Sequence, residues 1–176
     1  MKKIFNLQLF AEAVQGKDIV YLYRILEDAA KEDATQIGFV TENTRSMSKD
    51  TESTVTKDGS INTPGAVEIE IESTSIFKKG DAIIKKLENA LKQDKTIEIW
   101  EVNLAEPAEG GDNKFKGTYY QGLLTEFEQT ASAEEAVEHS LTFAINGEGV
   151  DGDVTVTTEQ QEMAAYTFKD TNKTGA

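Results

Sequence analysis

Between Val67 and Ser73 the chain reads VEIEIES, a strict alternation that leaves little choice of local structure. Side chains alternate across a β-strand, so Val67, Ile69 and Ile71 fall on one face and Glu68, Glu70 and Glu72 on the other. The segment predicts a strand with one face in a core and a row of carboxylates facing water. A strand of this kind needs another layer against its isoleucines.

Asp18 to Leu26 (DIVYLYRIL) is apolar on both parities, which suits a strand covered on both sides. Thr35 to Thr41 and Thr96 to Leu104 (TIEIWEVNL) read as further strands. Lys114 to Gln129 reads as a long, bent one, with Gly117 and Gly122 as bulges or points of close approach. Val137 to Ile145 alternates again, with His139 on its apolar face. Ala105 to Asn113 and Asn146 to Asp153 read as a loop and a turn, the latter before a short strand at Val154–Val156. Asp81 to Gln93 predicts the main helix, because Ile83, Ile84, Leu87, Ala90 and Leu91 form a single stripe at helical spacing. Thr158 to Tyr166 suggests a last helical turn, with Thr158 and Gln161 as a capping box. These elements predict a mainly β fold: a sandwich or barrel of about six to eight strands with one flanking helix over 81–93.

The stretch from Asn43 to Ala66 differs from the rest. Nine of its 24 residues are Ser or Thr, and its sizeable apolar groups are Met47, Val55 and Ile61. It has little surface to bury, so ordering entropy opposes a fixed structure in isolation. Its threonines, Val55 and the Asp58-Gly59 pair nevertheless suit a hairpin. It reads as a long extended arm that pairs its strands on meeting a partner, although a disordered surface loop accounts for the same composition.

Composition excludes several chemistries. The 176 residues contain no cysteine and one histidine, which removes disulfides, thiolate catalysis and cysteine-bound metal. His139 on a strand's apolar face reads as a structural histidine, and no nucleophile motif accompanies it. Among 32 acidic residues, accidental carboxylate pairs are unavoidable, so they carry no glycosidase signal. Asn146, Glu148, Asp151 and Asp153 could surround calcium, but the spacing fails the EF-hand loop. Trp100 reads as a core or interface anchor. No enzyme activity, cofactor or metal is expected. The opening MKKIFNLQLFAEA does not read as a cleaved signal, because Asn6 and Gln8 interrupt its apolar run. No window is long and apolar enough to cross a bilayer.

The net charge is −14, unsuited to gripping phosphates. It is also uneven: Gly117 to Phe168 lacks Lys and Arg, whereas Lys78 to Lys95 is rich in lysine. Two solvated faces explain this, as does head-to-tail association of identical subunits through opposite patches.

Several stretches together resemble the major tail proteins, or tail-tube proteins, of long-tailed, non-contractile bacteriophages of Gram-positive hosts. They are FNLQLFAEA, GKDIVYLYRILE, the block TENTRSMSKDTESTVTKDGSINTPGAVEIEIESTSIFKKGD, KTIEIWEVNL and GTYYQGLLTEFEQTAS. The likeness runs from about residue 1 to 145 and is densest over 41–104. It implies one tail-tube domain over 1–168 with an N-terminal arm, 1–16, and a flexible tail, 169–176. It further implies rings of six copies whose sheets join around a lumen, stacked into a tube that conducts DNA without binding it specifically. The 43–66 loop would bridge rings, through Arg45, Met47, Lys49, Val55, Lys57, Asp58 and Ile61. Glu68, Glu70 and Glu72 would face the lumen. The implied partners are further copies of the chain, a tape-measure protein, a tail terminator and a distal tail initiator. The implied location is the virion tail, after assembly in the host cytoplasm. The competing expectation is an acidic β-sandwich module binding calcium or carbohydrate.

Overall fold

The computed structural model describes residues 13–111 and 113–164. The readings made for the opening segment and for 169–176 lie outside these residues. Seven strands form one antiparallel sheet: β1 (Ile19–Ile25), β2 (Thr35–Gln36), β3 (Val40–Thr56), β4 (Gly59–Ile76), β5 (Ile97–Pro107), β6 (Lys114–Thr130) and β7 (Glu138–Thr155). Helix α1 spans Ala82–Lys92 and a short α2 spans Thr158–Ala164. The strand order is β2-β1-β5-β6-β7-β4-β3.

That order fixes the sheet's shape. Its two edges, β2 and β3, are consecutive in the chain and joined by Ile37, Gly38 and Phe39 alone. A link this short spans at most about 14 Å, so the sheet must curl until its edges approach. The curl is visible inside, where the Tyr23 ring of β1 stacks on Phe143 of β7 at 5.3 Å between centroids. Between the sandwich and the barrel, the chain therefore adopts a barrel-like single sheet.

Tyr21, Tyr23 and Ile25 of β1, Ile69 and Ile71 of β4, Ile97 and Ile99 of β5, and Leu141 and Phe143 of β7 fill the concave side. Helix α1 closes this core with the predicted stripe. Ile83, Ile84, Leu87 and Ala90 are buried, and Leu91 is half-buried against the same cluster. Asp81 caps the helix by accepting from the Ile83 amide at 3.2 Å and ties it to the sheet's seam by accepting from the Gly38 amide at 3.1 Å. A smaller cluster on the convex side gathers Val20, Leu22, Val102, Phe115 and Val156.

Several boundaries differ from the sequence reading. The strand expected over Thr35–Thr41 breaks at Ile37–Phe39, where Phe39 takes φ 52° and the chain passes from one sheet edge to the other. β5 runs on to Pro107, into the expected loop. The expected turn at Asn146–Asp153 is instead strand, and β7 is continuous to Thr155. Gly147 and Gly149 adopt φ 75° and 80° there. Between the pairs Tyr119↔Val150 and Gln121↔Asn146, β7 carries two more residues than β6, so the glycines mark a bulge. Gly117 and Gly122 are close-approach points, as expected: a Cβ on Gly122 would lie 2.4 Å from the Ala144 carbonyl oxygen. The α2 cap sits one residue earlier than expected. The Thr157 hydroxyl accepts from the Gln160 amide and the Gln160 side chain accepts from the Thr157 amide.

The 43–66 segment forms most of a long hairpin within the single chain, with β3 and β4 paired from Val40↔Ser75 to Thr56↔Gly59. No partner is needed to pair the strands, because the ladder satisfies their backbone groups internally. The turn is Lys57-Asp58, and Gly59 follows at φ 137°. Beyond Val67 both faces of this hairpin are exposed.

Candidate functional site

The alternation in β4 is realised as read: Ile69 and Ile71 are buried, whereas Glu68, Glu70 and Glu72 are exposed. Directly paired residues in neighbouring strands share a face, so the ladder shows what surrounds these acids. Glu72 lies between Thr44 of β3 and Thr142 of β7, and Thr142 is opposite Glu126 of β6. The next row runs Glu42, Thr74, Ser140, Glu128. Glu70 sits between Ser46 and Ala144, Glu68 beside Ser48, and Glu138 beside Ile76.

The convex side of β3-β4-β7-β6 thus presents Glu42, Glu68, Glu70, Glu72, Glu126, Glu128 and Glu138, all exposed, with no Lys or Arg in these rows. None of the seven forms an ion pair with a described residue. The acids of β3, β6 and β7 were not assigned to this face from sequence. The alternation of Glu126 and Glu128 around Phe127 was the available signal, and a bulge between Leu124 and Glu126 obscured its phase.

The residues assigned to the arm divide into two groups. Val55 and Ile61, 84% and 60% exposed, project near the hairpin tip with Lys57 and Asp58. Met47 and Lys49 are also exposed. Arg45 is exposed as well, but its side chain turns back toward β5 and β6 of its own sheet. Its guanidinium lies 3.0 Å from the Glu101 carboxylate and donates to the Tyr120 hydroxyl at 3.2 Å.

Much of the basic region of the sequence is paired locally in the fold. Within the basic helix region, Lys85 and Lys92 pair with Glu88, Lys86 with Glu32 and Lys95 with Glu27. These contacts hold the Glu88 carboxyl down at about 2, through hydrogen bonds from Lys85 and Lys92. Four of that region's six lysines therefore have a carboxylate partner within the chain.

The calcium candidates are also dispersed. Asp151 accepts from Thr118 at 2.8 Å and Asp153 from Lys116 at 2.5 Å, along a strand rather than around a loop. Among the described residues no three His, Cys, Asp or Glu side chains are placed to hold a metal. His139 is structural: it is 1% exposed, bonds Gln129 through Nε2 at 3.1 Å, and lies between Phe77 and Phe127. Trp100 lies under the Arg24 guanidinium at 5.0 Å, and Arg24 pairs with the buried Glu98 at 2.7 Å. No helix among the described residues is long and apolar enough to cross a membrane.

Residues 13–151 match the family model described as phage tail tube protein. The chain belongs to the phage tail tube protein family. As a member, it is a structural subunit of a phage tail tube and a component of the virion tail. A tail protein of Staphylococcus phage phiMR25 is 34% identical over 170 residues, covering 94% of this chain and 87% of that protein. The tail tube protein gp17.1* of Bacillus phage SPP1 is 26% identical over 147 residues, which cover 84% of this chain but 54% of that relative. The solved SPP1 tail tube subunit shares the fold, with a TM-score of 0.66 at 22% identity over 93% of this chain and 95% of that one. The tail subunit of a gene transfer agent particle, refined with C6 symmetry, gives a TM-score of 0.58 at 13% identity, over 82% of this chain and all of that one.

Proposed function

We propose that six copies of this chain close into a ring, that rings stack into a hollow tube, and that the β3-β4-β7-β6 carboxylate face lines the channel through which DNA passes. The observation that carries this reading is the single-signed face itself. Seven exposed carboxylates with no Lys or Arg in their rows among the described residues are poorly suited to binding and well suited to repelling a polyanion. Duplex DNA carries about one negative charge per 1.7 Å of axis, so a wall of like charge keeps it from adhering. The C6 symmetry of the gene transfer agent tail, whose subunit shares the fold, supports six copies per ring.

In this reading the exposed hairpin, with Met47, Lys49, Val55, Lys57, Asp58 and Ile61, reaches the next ring. A tape-measure protein fills the lumen during assembly in the host cytoplasm. A terminator and a distal initiator close the ends. The function asks for no catalytic step and no cofactor.

Replacing Glu68, Glu70 and Glu72 together with lysine tests the assignment. The side chains are exposed, so tubes still assemble, whereas DNA ejection from the variant particles slows or stalls. Ejection at the parental rate from fully assembled particles removes the lumenal assignment of β4.

A further inference from the structure

The hairpin leaves the sheet at a definite point. β4 is paired with β7 up to Ile69↔Ile145, and from there to Gly59 its only partner among the described residues is β3. This free length is about 30 Å, so a change of about 10° at the root moves the tip by about 5 Å. Any interaction made by the tip therefore depends on what holds the root.

Arg45 sits one turn of the ladder below the exit, paired with Ile71. Its side chain, 38% exposed, reaches from β3 to β5 and β6, meeting the Glu101 carboxylate at 3.0 Å and the Tyr120 hydroxyl at 3.2 Å. Both anchors are themselves fixed. Tyr120 is 1% exposed, and its ring lies against the backbone of Gly149, where a Cβ would come within 2.4 Å of Cε1. Gly149 is held at φ 80° by the bulge in β7, a conformation that suits glycine. Glu101 faces the buried Tyr21 phenol, which is pushed up first by burial and then by the Glu101 charge. The planar guanidinium can meet a carboxylate and a hydroxyl at once, which a lysine cannot do with the same geometry.

We propose that Arg45, braced by Glu101 and Tyr120, is a positioning residue that sets the angle at which the β3-β4 hairpin leaves the barrel. The strut ties the edge strand β3 to β5 and β6, neither of which is its neighbour in the sheet. Its value for assembly rests on the reading that the hairpin tip contacts the next ring.

The test measures hairpin direction in the dilute, unassembled protein. The chain has no cysteine, so Ser60→Cys near the tip and Asn89→Cys on the exposed face of α1 carry unique spin labels. The labelled parent gives one narrow distance distribution between tip and body. Arg45→Gln and Glu101→Gln each broaden it by about 5 Å, and the double variant is no broader than either single one. Arg45→Lys recovers part of the narrowing. Tyr120→Phe, which removes a single hydroxyl, gives a smaller broadening and serves if the other variants fail to fold. A distribution as narrow as the parent's in folded Arg45→Gln overturns the proposal, as does full additivity in the double variant. Broadening with undiminished tube formation leaves the strut standing and removes the inter-ring role of the hairpin.

Discussion

β4 is one strand that obeys two rules. From Val67 to Ile76 it alternates between core and surface, with Ile71 fully buried. From Gly59 to Ala66 it has no buried side at all. The ladder continues through both halves, so hydrogen bonding does not distinguish them. What changes is the free energy available from burial, about 25 cal/mol per Å² of apolar surface, which the outer half cannot collect within one chain. The inner half is therefore stabilised by packing within the monomer, while the outer half rests on its ladder alone.

The largest expected contrast comes from deletion of packing. Leu87→Ala, at a fully buried position of α1, lowers stability by about 2–5 kcal/mol, read as a fall in thermal midpoint. Equal sensitivity at Val55→Ala near the tip would break the distinction between the halves. Next come two glycines. Gly122→Ala drives a Cβ against the Ala144 carbonyl in the body, at a cost of about 1–3 kcal/mol. Gly65→Ala in the hairpin meets the Asp50 carbonyl at 3.1 Å and has the smaller effect on the chemical-denaturation midpoint.

A third, smaller effect depends on pH. Burial holds the His139 imidazole below its ordinary value, against the pull of Asp81 and Glu88. The unfolded chain then binds the proton more readily, so this contribution is complete above about pH 6.5 and is lost as pH falls. The slope is at most about 1.4 kcal/mol per pH unit for one proton. His139→Leu removes it, and the parent's midpoint falls further between pH 7 and pH 5 than the variant's. Smallest for the monomer is Val55→Ser with Ile61→Ser, within about 0.5 kcal/mol. Tube formation by that variant, followed by light scattering, is nevertheless slower than the parent's.

Elements carried by a local repeat were legible in the sequence. The α1 stripe and the VEIEIES alternation each place their own side chains because their period matches the backbone's. The continuity of β7 was not legible. Gly147, Gly149 and Gly152 look like turn residues, and only the neighbouring β6 ladder reveals a bulge. The full carboxylate face was half legible, since Glu68, Glu70 and Glu72 announce themselves while Glu42, Glu126, Glu128 and Glu138 join only through pairing register. The reach of Arg45 to β5 and β6 left no local sign, because Glu101 and Tyr120 lie more than fifty residues away.

The unpaired face has a further consequence, for counterions. Carboxylates that find no lysine among the described residues gather sodium from solution, and each copy brings such a layer to its neighbours. Bringing acidic faces together around a narrow channel compresses those layers against one another. The range of this repulsion shrinks from about 10 Å at 0.1 M salt to about 3 Å at 1 M, so growth of the tube should be faster in concentrated salt than in dilute buffer.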